Sequence, residues 1–527
     1  MTITYIHQVR TSLYFISFIC LTCLPSLGAP VLNDTVYHIL STGQSLSVGY
    51  GGAPALSLTQ PFNNLMLSRS LELVPLIEGT NNNNGVPAST LAWPYGPTVE
   101  THLSSLGNSL HTLNTSFQYI VTGHGIGGLG YQDIKKGTDW YNLGMSQVNS
   151  AMQAVRTAGS TYLVEGISLI HGETDHFEKS TSYLQNIIQF QQDYETDIKS
   201  HTGQIQNVPM FICQMSSQSI FENNWAVSRI PYDQLKAAEE NPNFYLVTPK
   251  YFFAYSDGLH LTNHGYRLLG EYYAKAMHRV LREKKEWKPL MPISVIQHAD
   301  SIVLELNPVG SLVFDNVYQA GTLPMRPFKG FEYFDSSQST DIKSVAIKGK
   351  YIIITLTKAP EANNKRLRYA YSAYDFVDAA TDNAARGNVH DSDSLKGYYT
   401  QKPLYNWLVH FDKPLAESPI VWGCTDSAFQ GYSSQATLSD STLCGEIITG
   451  SIPHQSTQPE VSSASQGLLY MYREEPFEIS IYDLKGNLHF NASGKTKTTY
   501  NLRSLPSGIY FLKTKSGGIS STQKLFL

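Results

Sequence analysis

The stretch Val36-Tyr-His-Ile-Leu-Ser-Thr-Gly-Gln-Ser45 decides the fold of the first half of the chain. An apolar run typical of a buried strand ends in a turn of small residues, and that turn carries the hydroxyl of Ser45. Several hydrolase folds present a nucleophile at such a strand-to-helix turn. The alternative interpretation of Ser45 is a helix N-cap, a position for which serine is well suited.

From this strand to about residue 282, strand patterns alternate with helical patterns. The alternation predicts an α/β domain over residues 30–287, with a three-layer, doubly wound parallel sheet whose ligands bind beyond the carboxyl ends of the strands. The predicted strands are continuous apolar runs, as expected for a parallel sheet covered on both faces. They are Val36–Ser41, Phe117–Thr122, Thr161–Ile170, Val208–Met215 and Phe244–Thr248.

The pattern changes over residues 288–450, where the apolar runs become short and rich in β-branched and aromatic residues. Gly, Pro, Asn and Asp separate these runs, which predicts a β-sandwich. Residues 451–474 form a predicted linker, because their composition is biased towards Ser, Gln and Pro. Residues 475–527 are predicted to form a small C-terminal β-module. Runs typical of the sandwich region are Ser301–Leu306, Ser344–Thr357 and Tyr405–Phe411.

Residues 1–29 have the pattern of a signal peptide. One basic residue, Arg10, precedes an apolar stretch from Leu13 to Leu27, and small residues follow it. The alternative is an uncleaved anchor, although the stretch is short for a membrane span. No other segment is long and apolar enough to cross a bilayer. The sequence therefore predicts export of a mature chain that has no transmembrane span.

The net charge narrows the possible binding partners, and the cysteines indicate which thiols can pair. The net charge is −5 and no long basic run is present, which argues against nucleic acid or an anionic membrane as the main partner. Of the five cysteines, two would leave with the signal peptide. Cys213 is predicted to be a buried thiol, whereas Cys424 and Cys444 can pair in an oxidising compartment. No CxxC pair suggests zinc.

The segment Asp257-Gly-Leu-His260 follows another apolar strand, far downstream of Ser45. A serine hydroxyl needs a base to act as a nucleophile, and the base needs a partner that fixes its tautomer. In a turn, this spacing places a carboxylate against one imidazole nitrogen and leaves the other for the serine. Each segment also has a plain structural interpretation, an N-cap or a simple turn. Together, in one α/β domain, they favour a catalytic triad.

Two further segments follow predicted strands. The glycines of Gly123-His-Gly-Ile-Gly-Gly-Leu-Gly130 let backbone amides approach a developing oxyanion. The alternatives are a plain turn or a phosphate loop, although the Lys-Ser/Thr that closes a phosphate loop is missing. The segment His171-Gly-Glu-Thr-Asp-His176 contains side chains that suit zinc or manganese. Because these neighbours diverge from one strand end, we predict a polar wall of the site and no metal.

These segments together resemble the SGNH (GDSL-like) hydrolase superfamily, and most closely its carbohydrate acetylesterase branch, which includes sialate O-acetylesterases. The Gly-Gln-Ser-Asn block of that family is matched by Gly43–Ser45, and its Gly-Gly-x-Ser-Ile block by the segment from Gly127. Its Gln-Gly-Glu-Ser-Asp block is matched by His171–Asp175, and its Asp-x-x-His block by Asp257–His260.

The resemblance implies the roles of the site residues. Ser45 would be the nucleophile, His260 the base and Asp257 the residue that orients it. Backbone amides of Ser45 and of Gly127 or Gly128 would form the oxyanion hole. No metal or organic cofactor is implied.

The resemblance also implies three substrate contacts, which are Gln44, His171 and Glu173. Two positions depart from the family pattern. Leu46 replaces the usual Asn after the serine, and His171 replaces the usual Gln of the third block. Both departures concern the substrate more than the reaction class, since neither replaces a member of the triad.

The last module resembles the type IX secretion sorting domain. Its segments Ile479-Ser-Ile-Tyr-Asp-Leu-Lys-Gly486 and Leu502-Arg-Ser-Leu-Pro-Ser-Gly-Ile-Tyr510 fit that pattern, as does the terminal Gln523-Lys-Leu525. The resemblance implies a bacterial protein that the type IX machinery carries to the cell surface or the medium. An adhesive β-domain is the alternative.

The sequence thus predicts a secreted or surface-bound serine esterase that removes short acyl groups, acetyl foremost, from an O-acylated carbohydrate. One alternative is an esterase that acts on a non-sugar polymer or lipid. A different class of alternative is a catalytically inactive surface protein that binds carbohydrate.

Overall fold

The structure is a computed structural model, and its described residues form two units that meet between Ser418 and Pro419. The predicted signal peptide, residues 1–29, lies outside the described residues. Those are residues 30–68, 70–78, 99–217, 229–315, 327–337, 340–361, 363–372, 385–445, 460–465, 468–472, 476–483, 487–494, 497–502, 504–506, 509–516 and 519–526.

The first unit is built on a seven-stranded, mostly parallel sheet with the strand order β3-β2-β4-β1-β5-β6-β7. The strands are β1 Thr35–Gly43, β2 Leu65–Leu67, β3 Leu73–Pro75, β4 Gln118–Gly123, β5 Thr161–Ile170, β6 Met210–Gln214 and β7 Phe244–Pro249. All five predicted strands are present in this sheet. The edge strand β3 is antiparallel to β2, so the sheet is mixed and not wholly parallel as predicted.

Helices alternate with these strands, as the periodicity predicts. They are α1 His102–Leu113, α2 Tyr131–Ile134, α3 Asp139–Thr157, α4 Glu173–Phe177, α5 Tyr183–Thr202, α6 Ile230–Glu240 and α7 Asn263–Leu281. The side chain of Thr262 caps the start of α7 by accepting a hydrogen bond from the Gly265 amide, and Gly203 ends α5 in a left-handed conformation. Helix α1 packs on α7, and α3 packs on α5.

The central strand β1 places the loops that carry the predicted site at one edge of the sheet. It pairs in parallel with β4 on one side and β5 on the other, with Ser41 opposite Gly123 and Gly43 opposite Ile170. A Cβ atom on Gly43 would lie 2.0 Å from the Ile170 carbonyl oxygen, so only glycine fits there. The loops that follow β1, β4 and β5 therefore begin side by side at the same edge of the sheet.

Residues 288–418 form β-rich structure within the same unit. A five-stranded sheet has the order β12-β13-β9-β8-β17, a three-stranded sheet the order β11-β14-β16, and β10 pairs with β15. The strands are β8 Pro292–His298, β9 Ser301–Leu306, β10 Leu312–Phe314, β11 Phe331–Phe334, β12 Ile342–Lys348, β13 Tyr351–Leu356, β14 Arg366–Tyr369, β15 Val389–Asp391, β16 Phe411–Pro414 and β17 Ala416–Glu417.

The apolar run from Tyr405 to Phe411 is not the strand that its composition predicts, because its backbone hydrogen bonds are divided between the α/β part and the β-rich region. The Gln214 side-chain amide donates to the His410 carbonyl (3.0 Å) and accepts from the His410 amide (2.8 Å). The Tyr251 hydroxyl donates to the Leu408 carbonyl at 2.6 Å. Buried residues from both parts, such as Trp407, form one hydrophobic core.

In its described residues, the second unit contains a disulfide and three sheets, of two, three and four strands. Cys424 and Cys444 are bonded, as the sequence allows, whereas Cys213 of the first unit is a buried free thiol. The strands are β18 Trp422–Gly423, β19 Leu438–Ser439, β20 Glu460–Ser465, β21 Leu468–Tyr472, β22 Phe477–Asp483, β23 Leu488–Gly494, β24 Lys497–Asn501, β25 Ile509–Ser516 and β26 Ile519–Phe526. A search of the described residues finds no helix long and apolar enough to cross a membrane.

Candidate active site

Ser45 begins a short 3-10 turn, Ser45–Val48, directly after β1. The preceding residue, Gln44, occupies the cap position of this turn, and its side chain makes no capping hydrogen bond. The hydroxyl of Ser45 therefore does not serve as the N-cap that the alternative interpretation proposes. It is 8% exposed and points at an imidazole from a distant part of the chain.

The three residues of the predicted triad are in hydrogen-bonding contact. The Oγ atom of Ser45 lies 2.8 Å from Nε2 of His260, and Nδ1 of the same ring lies 2.9 Å from Oδ2 of Asp257. An ionised carboxylate only accepts hydrogen bonds, so Nδ1 carries the proton. Nε2 is then the acceptor that faces the serine hydroxyl, which is the tautomer a general base needs.

The turn that carries His260 is held by its own backbone. The Oδ1 atom of Asp257 accepts hydrogen bonds from the amides of Leu259 (2.7 Å) and His260 (2.6 Å), and the Ser256 amide donates to the His260 carbonyl (2.8 Å). This is the local pattern by which Asp stabilises turns. The carboxylate of Asp257 therefore fixes both the position and the tautomer of the ring.

Asp257 is ionised at neutral pH although its side chain is partly buried. Burial alone would raise its pKa, but the hydrogen bonds from the His260 ring and from the His260 and Leu259 amides outweigh this and lower the pKa to about 2. With its side chain 49% exposed, the carboxylate also keeps contact with solvent. It is therefore a negative charge available to stabilise a protonated His260.

The glycine-rich loop after β4 lies against the Ser45 turn. A Cβ atom on Gly127 would be 3.5 Å from Cβ of Ser45, and one on Gly125 would be 1.8 Å from Oγ of Ser47. The Ile126 amide donates to the Gly43 carbonyl at 3.1 Å, and Gly128 has a φ of +77°. The loop thus brings a flexible backbone segment beside the serine. Its role as an oxyanion hole stays a prediction.

Gln44 and His171 are buried and have partners inside the protein. The Oε1 atom of Gln44 lies 3.3 Å from each of the amides of Gly172 and Thr174 and accepts from both. In the His171 ring, Nδ1 is 3.3 Å from the Tyr183 hydroxyl and Nε2 is 3.3 Å from the Leu129 carbonyl. These contacts tie the loops after β1, β4 and β5 together. Direct contact with a substrate stays a prediction for both.

Glu173 forms a buried ion pair with Lys250, a residue that sequence analysis does not single out. Both side chains are 1% exposed. Burial alone would favour the neutral acid, but the Lys250 ammonium lowers the pKa of Glu173 below its ordinary value. Glu173 likewise raises the pKa of Lys250 against the effect of burial. The overlooked signal is a lysine directly after the apolar strand β7, at the same edge as the site.

Tyr50 is a second residue that the motifs do not identify. Its ring centroid lies 4.2 Å from that of His260, with the two planes tilted by 50°. The sequence signal is an aromatic residue between two glycines, Gly49 and Gly51, five residues after the serine.

Among the residues that the structure describes, no cluster of three or more His, Cys, Asp or Glu side chains could hold a metal ion.

Two segments of the chain match known protein families. Residues 106–279 match the family described as carbohydrate esterase, sialic acid-specific acetylesterase. Residues 463–527 match the secretion system C-terminal sorting domain. A search of the curated proteins found no significant match.

Several solved structures are similar to the chain at low identity. A carbohydrate acetylesterase from Xanthomonas citri is 14% identical, with a TM-score of 0.45 over 71% of this chain and 80% of that one. A protein from Arabidopsis thaliana is 16% identical, with a TM-score of 0.35 over 47% of this chain and 99% of that one. The protein NanS is 14% identical, with a TM-score of 0.34 over 48% and 99%, respectively.

The first family match spans the segments that begin at Gly127, His171 and Asp257 but not the segment of Ser45, and the second match spans the C-terminal module that resembles a sorting domain. The chain is therefore a carboxylic ester hydrolase with a domain of the sialic acid-specific carbohydrate esterase family, and its sorting domain marks it for export by type IX secretion to the cell surface or beyond.

Proposed function

We propose that this protein is a secreted serine esterase that removes short acyl groups, acetyl foremost, from carbohydrate through an acyl-enzyme on Ser45. The observation that carries this proposal is the unbroken hydrogen-bonded chain from Ser45 through His260 to Asp257 at the carboxyl edge of the sheet. The family match over residues 106–279 supports the carbohydrate ester as the substrate class.

In the first half of the proposed reaction, Oγ of Ser45 attacks the ester carbonyl carbon while Nε2 of His260 takes its proton. The tetrahedral intermediate then collapses, and His260 returns this proton to the departing sugar oxygen. The acyl group stays on Ser45. Asp257 stabilises the positive charge that the His260 ring holds between these two steps.

In the second half, a water molecule attacks the acyl carbon while His260 takes its proton; the bond to Oγ of Ser45 then breaks, His260 returns the proton to Oγ, and the carboxylic acid leaves. The amides of Ser45 and of Gly127 or Gly128 would stabilise the oxyanion in both halves, as donors held in place before the reaction begins. The position of Gly127 beside Ser45 supports this assignment.

Gln44, His171 and Glu173 are proposed to form the substrate-facing wall behind Ser45. Their buried hydrogen bonds and the Lys250 ion pair support a role in fixing the shape of that wall. The finer architecture belongs to this proposal as well. We propose a doubly wound, three-layer catalytic domain, a sandwich-like β region and a C-terminal module removed after export.

The decisive experiment compares wild type, Ser45→Ala and Ser216→Ala on 4-nitrophenyl acetate and on O-acetylated sialic acid. Ser216 serves as the control because it is also hydrogen-bonded to a histidine, at 2.7 Å, but that histidine is His410 and not a member of the triad. We expect Ser45→Ala to lose about 10⁴-fold or more in kcat. Ser216→Ala should retain its kcat. Equal rates for wild type and Ser45→Ala would refute the proposal.

The alternatives are outcomes of two further measurements. A rate that rises with acyl chain length, without hydrolysis of acetylated glycans, would favour an esterase for lipid or a non-sugar polymer. Failure of an organophosphonate to label Ser45, together with intact glycan binding, would favour the inactive carbohydrate-binding protein. We expect labelling at Ser45 and the fastest turnover with acetyl esters of sugars.

A further inference from the structure

Among the described residues, three side chains form a hydrogen bond or a ring contact with the His260 imidazole, and the triad accounts for two of them. Ser45 meets Nε2, and Asp257 meets Nδ1. The third neighbour is Tyr50, whose ring centroid is 4.2 Å from the imidazole centroid. Hydrogen bonds thus occupy both nitrogens of the imidazole, and the aromatic ring of Tyr50 packs against the imidazole ring.

Tyr50 is fixed to the same segment that carries the serine. Its backbone amide donates to the Ser45 carbonyl at 3.1 Å, and its own carbonyl accepts from the Tyr266 hydroxyl at 2.6 Å. Tyr266 belongs to α7, the helix that begins just after the His260 turn. The backbone of Tyr50 is therefore tied both to the serine and to the element that follows the histidine.

The two glycines around Tyr50 allow this close packing. Gly51 has a φ of +83°, and a Cβ atom there would lie 2.2 Å from Oγ of Ser256 and 2.9 Å from Cβ of His260. Gly49 has a φ of +77°, and a Cβ atom there would lie 2.4 Å from the Glu100 carbonyl oxygen. A side chain at position 51 would push the segment away from the histidine turn, and one at position 49 would clash with the backbone of Glu100.

We propose that Tyr50 is a positioning residue for His260: its ring holds the imidazole between Ser45 and Asp257 and favours the positively charged form that arises during proton transfer. The electron-rich face of an aromatic ring attracts a nearby cation. The proposal rests on the proposed function of the triad and adds a residue outside the matched blocks of the family.

Few groups other than Tyr50 face the His260 ring and could affect its protonation. Asp257 faces the ring from its own turn, and Ser45 and Tyr50 face it from the segment after β1. Among the described residues, the His260 ring has no other hydrogen-bond or ion-pair partner. A change in its titration on altering residue 50 is therefore attributable to the ring of Tyr50, provided that the fold is intact.

The first test compares Tyr50→Phe with Tyr50→Leu. Loss of the ring in Tyr50→Leu should lower kcat by about 3- to 30-fold and move the midpoint of the acidic limb of the pH–rate profile down by about 0.5 to 1 pH unit. KM should change much less than kcat. Tyr50→Phe keeps the aromatic face and should rescue both the rate and the midpoint. If Tyr50→Phe falls as far as Tyr50→Leu, the hydroxyl and not the ring matters, and the proposal is wrong.

A second test keeps the shape of the side chain while weakening the ring. Phenylalanine, 4-fluorophenylalanine and 3,4,5-trifluorophenylalanine at position 50 form a series of decreasing electron density on the face. We expect the titration midpoint of the His260 ring, followed by NMR, to fall along this series, and kcat to fall with it. A midpoint that is the same in all three variants overturns the proposal even if Tyr50→Leu does not fold.

The two proposals can fail separately. If the wild-type protein hydrolyses no ester, the proposed function fails, while the NMR titration of His260 still decides whether Tyr50 acts on the ring. If the wild type is an esterase but the titration midpoint of His260 is the same in all variants of the ring series, only the proposal for Tyr50 is refuted.

Discussion

Two serine–histidine pairs of nearly equal geometry lie in the first unit. Oγ of Ser45 is 2.8 Å from Nε2 of His260, and Oγ of Ser216 is 2.7 Å from Nε2 of His410. In both pairs the other ring nitrogen faces an oxygen that only accepts hydrogen bonds. For His260 this oxygen belongs to the Asp257 carboxylate, and for His410 to the Ala370 carbonyl, at 2.6 Å.

The surroundings of the two pairs differ in charge and in access to solvent. Ser216 and His410 are 0% exposed, and burial lowers the pKa of His410 to about 4. Oγ of Ser216 also accepts from the Lys250 amide, at 2.9 Å. This pair joins the β-rich region to the α/β part. The Ser45 pair differs from the Ser216 pair in having a carboxylate behind the ring and in its small solvent exposure, 8% for Ser45 and 9% for His260.

The largest expected effect separates the two histidines. We expect His260→Ala to lose about 10⁴- to 10⁶-fold in kcat with little change in stability. His410→Ala should instead lower the free energy of unfolding by about 2–4 kcal/mol, because it leaves a cavity and removes the histidine partner of the Ser216 hydroxyl and of the Ala370 carbonyl. The folded fraction of His410→Ala should keep its kcat. Steady-state kinetics and urea unfolding measure kcat and the free energy of unfolding of both variants. If the two variants lost the same amount of each, the distinction between the two pairs would be wrong.

The carboxylate is tested by Asp257→Asn, which makes the environment of His260 resemble that of His410. We expect kcat to fall by about 10²- to 10⁴-fold, because an amide cannot stabilise a protonated ring and can favour the wrong tautomer. Asp300→Asn, an exposed change in the turn between β8 and β9, is the matched control. Wild-type kcat in Asp257→Asn would show that the charge behind the ring is dispensable.

The ion pair beside the site gives the next effect. Lys250→Met leaves Glu173 as an uncompensated buried charge and should lower the free energy of unfolding by about 3–5 kcal/mol. The double variant Lys250→Met with Glu173→Leu removes both charges and should recover most of that loss. Urea unfolding at pH 7 measures both. A double variant as unstable as the single one would mean that packing, and not the unpaired charge, causes the loss.

The smallest effect concerns Glu78, which is buried beside Glu100. Burial, and then repulsion from Glu100, raise the pKa of Glu78 to about 7, while hydrogen bonds from Thr101 and Ser104 oppose this. Because the folded protein binds this proton more tightly than the unfolded chain, the stabilisation from Glu78 is present below pH 4.5 and is lost as the pH rises through about 7.

Glu78→Gln imitates the protonated acid and should remove this dependence. At pH 8 it should raise the free energy of unfolding by about 1–3 kcal/mol, whereas at pH 4 it should leave it nearly unchanged. Urea unfolding at the two pH values measures the difference. The same change in stability at both values would contradict the assignment.

Local patterns sufficed to predict the elements that carry the triad. The strand that ends at Ser45, the turn from Asp257 to His260 and the helix α7 follow from apolar periodicity and turn chemistry, which act between near neighbours. The edge pair of β2 and β3 escaped prediction, because strands of three residues have almost no periodicity. The run before Phe411 was predicted as a strand, although its partners belong to a different part of the chain.

The amino-acid sequence alone sufficed to place the five longer strands of the first sheet, the edge of the sheet that carries the polar side chains, and the residues able to form a triad. Only the tertiary structure decided which histidine remains open, that Lys250 neutralises Glu173, and that Tyr50 packs on His260. The physical reason is that desolvation and charge pairing depend on groups from distant segments, whereas strand and turn preferences depend on adjacent ones.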